Sequence, residues 1–253
     1  MPPEATFRYT RERANLMIRD QYVWFVWASA FLVPWIILFV MFPRYRKAML
    51  WASVLTAPFG LTEPLFIPAY WNPPSLFDLA QRTGFDIESP IFTFALGGVA
   101  AVLYDALTGR SLVRLAGRRE GHKVHRLAVI TPFIAFPILY FLPWNPIYPG
   151  IAAMFLGAVA AFACRRDLTA KTFVGGFLFT AYYVVFLQGL ELLSRGYIRR
   201  YWNVPALSGV VIASIPLEEL LFAFALGMYW SSVYEHLTWS AAIRAEDKAA
   251  VKA

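Results

Sequence analysis

Ile215-Pro216-Leu217-Glu218-Glu219-Leu220-Leu221-Phe222 sets two adjacent carboxylates at the head of an apolar run. The run continues through Tyr229 and Trp230 with no further charge before Glu235. It fits a membrane-spanning helix, which takes about 20 predominantly apolar residues. An acid at the centre of such a helix costs roughly 2.5–3.5 kcal/mol, so acids retained there call for a functional explanation.

The same pattern occurs earlier in the chain. Ile87-Glu88-Ser89-Pro90-Ile91-Phe92-Thr93-Phe94-Ala95-Leu96-Gly97 aligns with Leu217-Glu218-Glu219-Leu220-Leu221-Phe222-Ala223-Phe224-Ala225-Leu226-Gly227 at a constant offset of 130. The register holds to Tyr104-Asp105-Ala106-Leu107 against Tyr234-Glu235-His236-Leu237. Upstream, Tyr70-Trp71-Asn72 answers Tyr201-Trp202-Asn203 at an offset of 131, and a lone acid, Glu63 or Glu191, precedes each. We read this as an internal duplication in which the acids are among the repeated features.

Composition sets the class. Of 253 residues, 59% are hydrophobic and only 15% charged, against about 25% charged in soluble domains. Seven apolar segments, 22–42, 48–65, 90–107, 127–144, 147–164, 172–193 and roughly 208–229, predict an all-α integral membrane protein with seven transmembrane helices. The last boundary has two solutions: a tilted span, or a break at Pro216 with 210–215 as a separate interfacial turn. Residues 1–253 are read as one membrane domain. Helices 1–3 (22–107) and 5–7 (147–237) form two three-helix repeats, a linking helix 4 (127–144) joins them, and 238–253 is a polar tail. Four crossings return segment 5 to the side where segment 1 began, so the repeats are parallel.

Loop charges orient the chain. One side carries Arg44, Arg46, Lys47, Arg110, Arg114, Arg118, Arg119, Lys123, Arg126, Arg165, Arg166, Lys171, Arg244, Lys248 and Lys252. The other carries Arg8, Arg11, Arg13, Arg19, Arg82, Arg195, Arg199 and Arg200. The positive-inside rule predicts a plasma-membrane protein with its N-terminus outside and C-terminus in the cytoplasm. Membrane loops account for the net charge of +7, so no nucleic-acid partner is expected. Residues 1–20 are charged and contain no short apolar region with a cleavage site, so no cleaved leader is expected. The single cysteine, Cys164, excludes an intrachain disulfide and a cysteine metal cluster.

Glu63, Glu88, Glu191, Glu218 and Glu219 all fall at the external end of their segments in this topology. Burial raises the pKa of a carboxyl group, and adjacent carboxylates titrate jointly. One proton shared among several acids suits a general acid working with a nearby general base. Trp71, Phe66, Phe92, Phe94, Tyr201, Trp202, Phe222 and Phe224 surround them. Ring faces stabilise a transient cation, although the same residues also fit an interfacial aromatic belt. Other chemistries lack their residues. There is no dinucleotide fingerprint and no Asp-rich diphosphate motif. His122, His125 and His236 cannot build a multi-histidine metal site. No lysine sits in mid-helix for a Schiff base. No cofactor and no metal are expected.

Pro216-Leu217-Glu218-Glu219 resembles the Pro-x-Glu-Glu motif of the lycopene cyclase domain in membrane carotenoid cyclases of the heterodimeric or fused type. Leu61-Thr62-Glu63-Pro64, Tyr70-Trp71 and the duplication resemble that family too, over nearly the whole chain. The resemblance implies redox-neutral closure of lycopene ends to β-ionone rings. An acid protonates the terminal double bond, an internal alkene attacks the cation, and a base removes a ring proton. Carried over by position, Glu218 and Glu219 are the acid/base pair. Glu88 is the matching acid of repeat one, where Asp86-Ile87-Glu88-Ser89 lacks the proline and the second acid. Glu63, Glu191, Trp71, Trp202, Phe92 and Phe222 are then expected to bind substrate. The partners implied are a lipophilic polyene and membrane lipid, with a homo-oligomer left open. Two alternatives remain: a hydratase that quenches the cation with water, and a non-catalytic protein that binds a polyene or conducts protons.

Overall fold

The computed structural model describes residues 19–115 and 123–243, with side chains from 127 onward in the second stretch. The basic arm Arg8, Arg11 and Arg13, the residues Arg118, Arg119 and His122, and the tail charges Arg244, Lys248 and Lys252 lie outside the described residues, as do the side chains of Lys123, His125 and Arg126.

Helices α1 (Asp20–Ala30) and α2 (Leu32–Met41) form one apolar rod interrupted at Phe31. Pro34 offers no N–H to the carbonyl one turn back, which weakens the ladder there. Val33, Ile36, Ile37 and Val40 are exposed along the rod, as a lipid-facing helix requires. Helix α3 (Arg46–Thr56) tightens into a 3₁₀ helix over Ala57–Leu65. Pro58, Gly60 and Pro64 favour that change, because prolines withhold donors from the α-ladder. After a short α4 (Leu79–Thr83) comes α5 (Glu88–Thr108), then strand β1 (Ser111–Arg114), α6 (Lys123–Tyr140), α7 (Ile147–Cys164) and α8 (Thr169–Leu193). A short α9 (Tyr197–Tyr201), strands β2 (Val211–Ile212) and β3 (Ile215–Pro216), α10 (Leu217–Thr238) and β4 (Ser240–Ile243) complete the chain.

Among the described residues, four helices are long and apolar enough to cross a membrane: Asp20–Met41, Glu88–Thr108, Ile147–Cys164 and Arg166–Leu193. The remaining expected spans are shorter or more polar: α3 with its 3₁₀ extension, α6, and α10. Residues 208–216 do not join α10. They turn as the β2–β3 hairpin, with Val211 paired to Pro216, and the helix begins at Leu217. Of the two solutions for this boundary, the break at Pro216 is the one adopted.

Helix α10 packs on α8, α7 and α5, while α3 and its 3₁₀ extension pack on α5. Small residues set the closest approaches, as in membrane helix pairs. A Cβ on Gly227 would fall 2.6 Å from the Cβ of Phe179 and 3.0 Å from the Gly175 carbonyl oxygen. A Cβ on Gly60 would fall 2.3 Å from the Pro90 nitrogen, so glycine is what lets the 3₁₀ helix lie against the start of α5. The two halves also meet through backbone. Asn72 N–H donates to the Tyr201 carbonyl (2.8 Å) and Asn203 N–H to the Tyr70 carbonyl (2.9 Å), around an antiparallel Trp71–Trp202 bridge.

At the far ends of α5 and α10 lies a charge cluster that the loop-charge count does not anticipate. Lys171, counted there as a loop cation, is 3% exposed. Its ammonium pairs with Asp105 at 2.6 Å and with Glu235. Asp105 and Glu235 are the two acids matched across the repeat register, and both converge on this one lysine. Removing one member of a buried ion pair typically costs about 3–5 kcal/mol, because it strands the other charge. Lys171→Met is therefore expected to lower stability on that scale, read as thermal unfolding in detergent. The triple change Lys171→Met, Asp105→Asn, Glu235→Gln should recover most of the loss. Equal instability of both would mean that packing, not charge, holds this end together.

Candidate active-site cavity

A cavity of about 330 Å³ lies between the two halves, at the lower end of the roughly 300–1,000 Å³ range of ligand sites. Its wall is overwhelmingly apolar and aromatic: Trp24, Phe66, Trp71, Phe92, Trp202 and Phe222 contribute, with Phe59, Phe133 and Phe136 on the side of the 3₁₀ helix and α6. Among the described residues, the acids in the wall are Glu63 and Glu219.

Glu219 is 3% exposed. One oxygen accepts the indole N–H of Trp202 (2.6 Å) and the phenol O–H of Tyr70, and the other accepts the phenol O–H of Tyr183 (2.8 Å). An indole N–H can only donate, so the Trp202 contact fixes that oxygen as an acceptor. Burial, followed by the negative charge of Glu219, holds the Tyr70 phenol well above its usual range, so Tyr70 remains a donor at any physiological pH.

Glu63 is 4% exposed. One of its oxygens accepts the Ser89 hydroxyl at 2.8 Å, and the carboxyl group also lies within hydrogen-bonding reach of the Asp86 carboxyl. Asp86 adds negative charge beside it. The Asp86 carboxylate accepts the Ser89 N–H at 2.7 Å, and burial pushes it above the usual carboxylate range.

The remaining expected acids sit elsewhere. Neighbouring helix residues point about 100° apart, and of Glu218 and Glu219 only Glu219 reaches the cavity wall. Glu218 accepts the Tyr148 hydroxyl (2.7 Å) and the Ser208 N–H (2.8 Å), tying down the segment before the β2–β3 hairpin. Glu88 does the corresponding thing in the first half, accepting the N–H groups of Leu76 (2.6 Å) and Ile87 (3.0 Å). Glu191 accepts those of Gly196 (2.7 Å) and Ile198 (2.8 Å), anchoring the start of α9. None of these three lines the cavity, whereas Trp71, Trp202, Phe92 and Phe222 all do. The sequence did not single out Tyr183, Ser89 or Asp86 as site residues, and it marked Tyr70 only through the repeat and the family resemblance. A hydroxyl within the apolar run 172–193 was the available signal for Tyr183.

Apolar helices around an aromatic cavity with buried carboxylates define a helical membrane protein suited to an apolar ligand. Residues 145–237 match the family model described as lycopene cyclase, as the Pro-x-Glu-Glu resemblance had indicated. The matched segment contains Tyr148, Tyr183, Trp202, Glu218 and Glu219. No curated protein and no solved structure matches the chain.

A hydrogen bond to a charged group is worth about 1.5–3 kcal/mol. Tyr183→Phe should therefore lower thermal stability by about that amount without changing the cavity outline. An unchanged melting curve would mean that the hydroxyl does not stabilise a Glu219 anion.

Proposed function

We propose that the protein is a carotenoid cyclase, closing the acyclic ends of lycopene into β-ionone rings within the membrane. The observation that carries this reading is the cavity itself, where carboxyl groups face a largely apolar, aromatic-rich space. Isomerisation through a cation needs one proton delivered and one removed, with no electrons exchanged. Positioned carboxyls supply such proton transfers. Ring faces such as Trp71 and Trp202 stabilise the cation between those steps, and the apolar wall keeps water from trapping it. Of the motif acids, Glu219 is proposed to act on the substrate. Glu218 and Glu88 are proposed to act as positioning residues through the backbone segments they hold. The family match over 145–237 supports the same class of reaction.

The proposed topology is seven spans in two parallel repeats, with the N-terminus outside. The reciprocal Trp71–Trp202 bridge, the paired loop contacts of Glu88 and Glu218, and the convergence of Asp105 and Glu235 on Lys171 support the duplication. A fluorescent protein that matures only in the cytoplasm, fused to the C-terminus, should light up. A cysteine replacing exposed Ala213 at the hairpin tip, in a Cys164→Ser background, should react with an impermeant maleimide added outside. A dark fusion together with an unreactive cysteine would reverse the orientation.

Expression in a lycopene-accumulating bacterium, followed by pigment chromatography, tests the activity. Monocyclic or bicyclic carotene of unchanged oxidation state is expected. Hydroxylated acyclic products would establish a hydratase instead. Untouched lycopene beside abundant, folded membrane protein would overturn the cyclase reading.

A further inference from the structure

The two cavity carboxyls differ in what surrounds them, and the difference assigns them opposite tasks. Glu219 is met by three donors from three places in the chain: Tyr70, Tyr183 and Trp202. Donors converging on a carboxylate stabilise its anion. Glu63 has a single hydroxyl donor, Ser89, and meets a second carboxyl group, Asp86, to which only a protonated Glu63 can donate while Asp86 is ionised. Among the described residues, no lysine or arginine pairs with it, and Asp86 adds negative charge. A bare carboxylate in that setting bears the full desolvation cost of its charge, whereas a carboxylic acid does not. The repeat register adds a reason for its position. Ser89 stands where the second half has Glu219, and the Ser89 hydroxyl holds Glu63 at that place from the adjoining 3₁₀ helix.

We propose that Glu63 is the catalytic acid of this cavity, delivering the proton that starts the reaction, and that Glu219 is the base that receives the proton ending it. This assignment rests on the cyclase reading. In the first step the Glu63 O–H bond breaks and a C–H bond forms at the terminal alkene, leaving a tertiary cation. The internal alkene then supplies its electron pair to form the ring C–C bond, which moves the cation into the ring. A ring C–H bond next breaks toward Glu219, and its electron pair becomes the ring double bond. One proton enters the substrate and one leaves, so the product is an isomer. When the product departs, Glu219 loses a proton to water and Glu63 regains one, restoring the site. The order of roles follows from the donors: the acid that holds its proton before turnover is the one with fewest groups to stabilise its anion.

Two measurements decide it. The first is lycopene turnover in isolated membranes at equalised protein. Glu63→Gln replaces a neutral acid by a neutral amide of the same shape, so the protein should accumulate and melt as wild type while turnover falls about 10²–10⁴-fold. Glu219→Gln swaps an anion accepting three donors for an amide with one acceptor oxygen, so stability should fall along with turnover. The second measurement is the infrared carbonyl band of a protonated carboxylic acid in purified protein at neutral pH. The component of that band contributed by Glu63 should vanish in Glu63→Gln and persist in Glu219→Gln. Glu63→Asp keeps an acid but withdraws it, so the band should shift and part of the activity should remain. This variant carries the test if Glu63→Gln fails to accumulate. Wild-type turnover in Glu63→Gln overturns the assignment. So does a band that survives there and disappears in Glu219→Gln, or one that does not move in Glu63→Asp. Wild-type protein that leaves lycopene untouched would sink the cyclase reading, while the infrared band still decides which carboxyl holds the proton.

Discussion

The structure is organised around one buried acid, the Glu219 carboxyl group, and the three donors that make its burial tolerable. An isolated carboxylate in a low-dielectric interior would neutralise or be expelled. Here Tyr70 comes from the first half, Tyr183 from α8, and Trp202 from the segment after α9. Satisfying that group thus requires that both halves already be assembled. The Trp71–Trp202 bridge holds Tyr70 and Trp202 close together by backbone hydrogen bonds. The carboxylate therefore depends on the interface, and the interface is stabilised by the carboxylate.

The opposite end repeats this logic with the signs exchanged. There the shared element is a cation, Lys171, and the two halves each contribute an acid, Asp105 and Glu235. Between these polar ends the helices meet through glycine contacts and aromatic packing, which provide van der Waals contact but little directional information. The buried polar groups fix which way the halves face each other, and the apolar contacts then fill the space.

Much of this could be read from the chain before any coordinates. The run after Glu219, the offset of 130 and Pro216 located the last helix, its start and its counterpart. The family match covers only 145–237, and the motif that suggested it lies within that segment. What the sequence could not provide was direction. Glu218 and Glu219 are adjacent letters, but a helix turns them onto different surfaces, and only one meets the cavity. Glu88 and Glu191 looked like intramembrane acids of the same kind, yet both are occupied by backbone N–H groups. Lys171 looked like a loop charge because it lies three residues into a helix beside Arg165 and Arg166. Its burial depends on two acids 66 and 64 positions away, a pairing that the loop-charge count does not consider. Ser89 looked like a lost acid, and the compensating Glu63 is 26 residues distant.

The rim of the cavity bears on how its contents arrive. Phe59 and Phe133, both in the cavity wall, are among the exposed large apolar side chains, at 36% and 47%. A rim of that kind, on a chain set in a bilayer, faces acyl chains and not water. Lateral diffusion within one leaflet then replaces three-dimensional search as the route to the site. The concentration that governs occupancy becomes molecules of ligand per lipid, so diluting the membrane with inert lipid empties the site even when the amount of ligand per litre is unchanged.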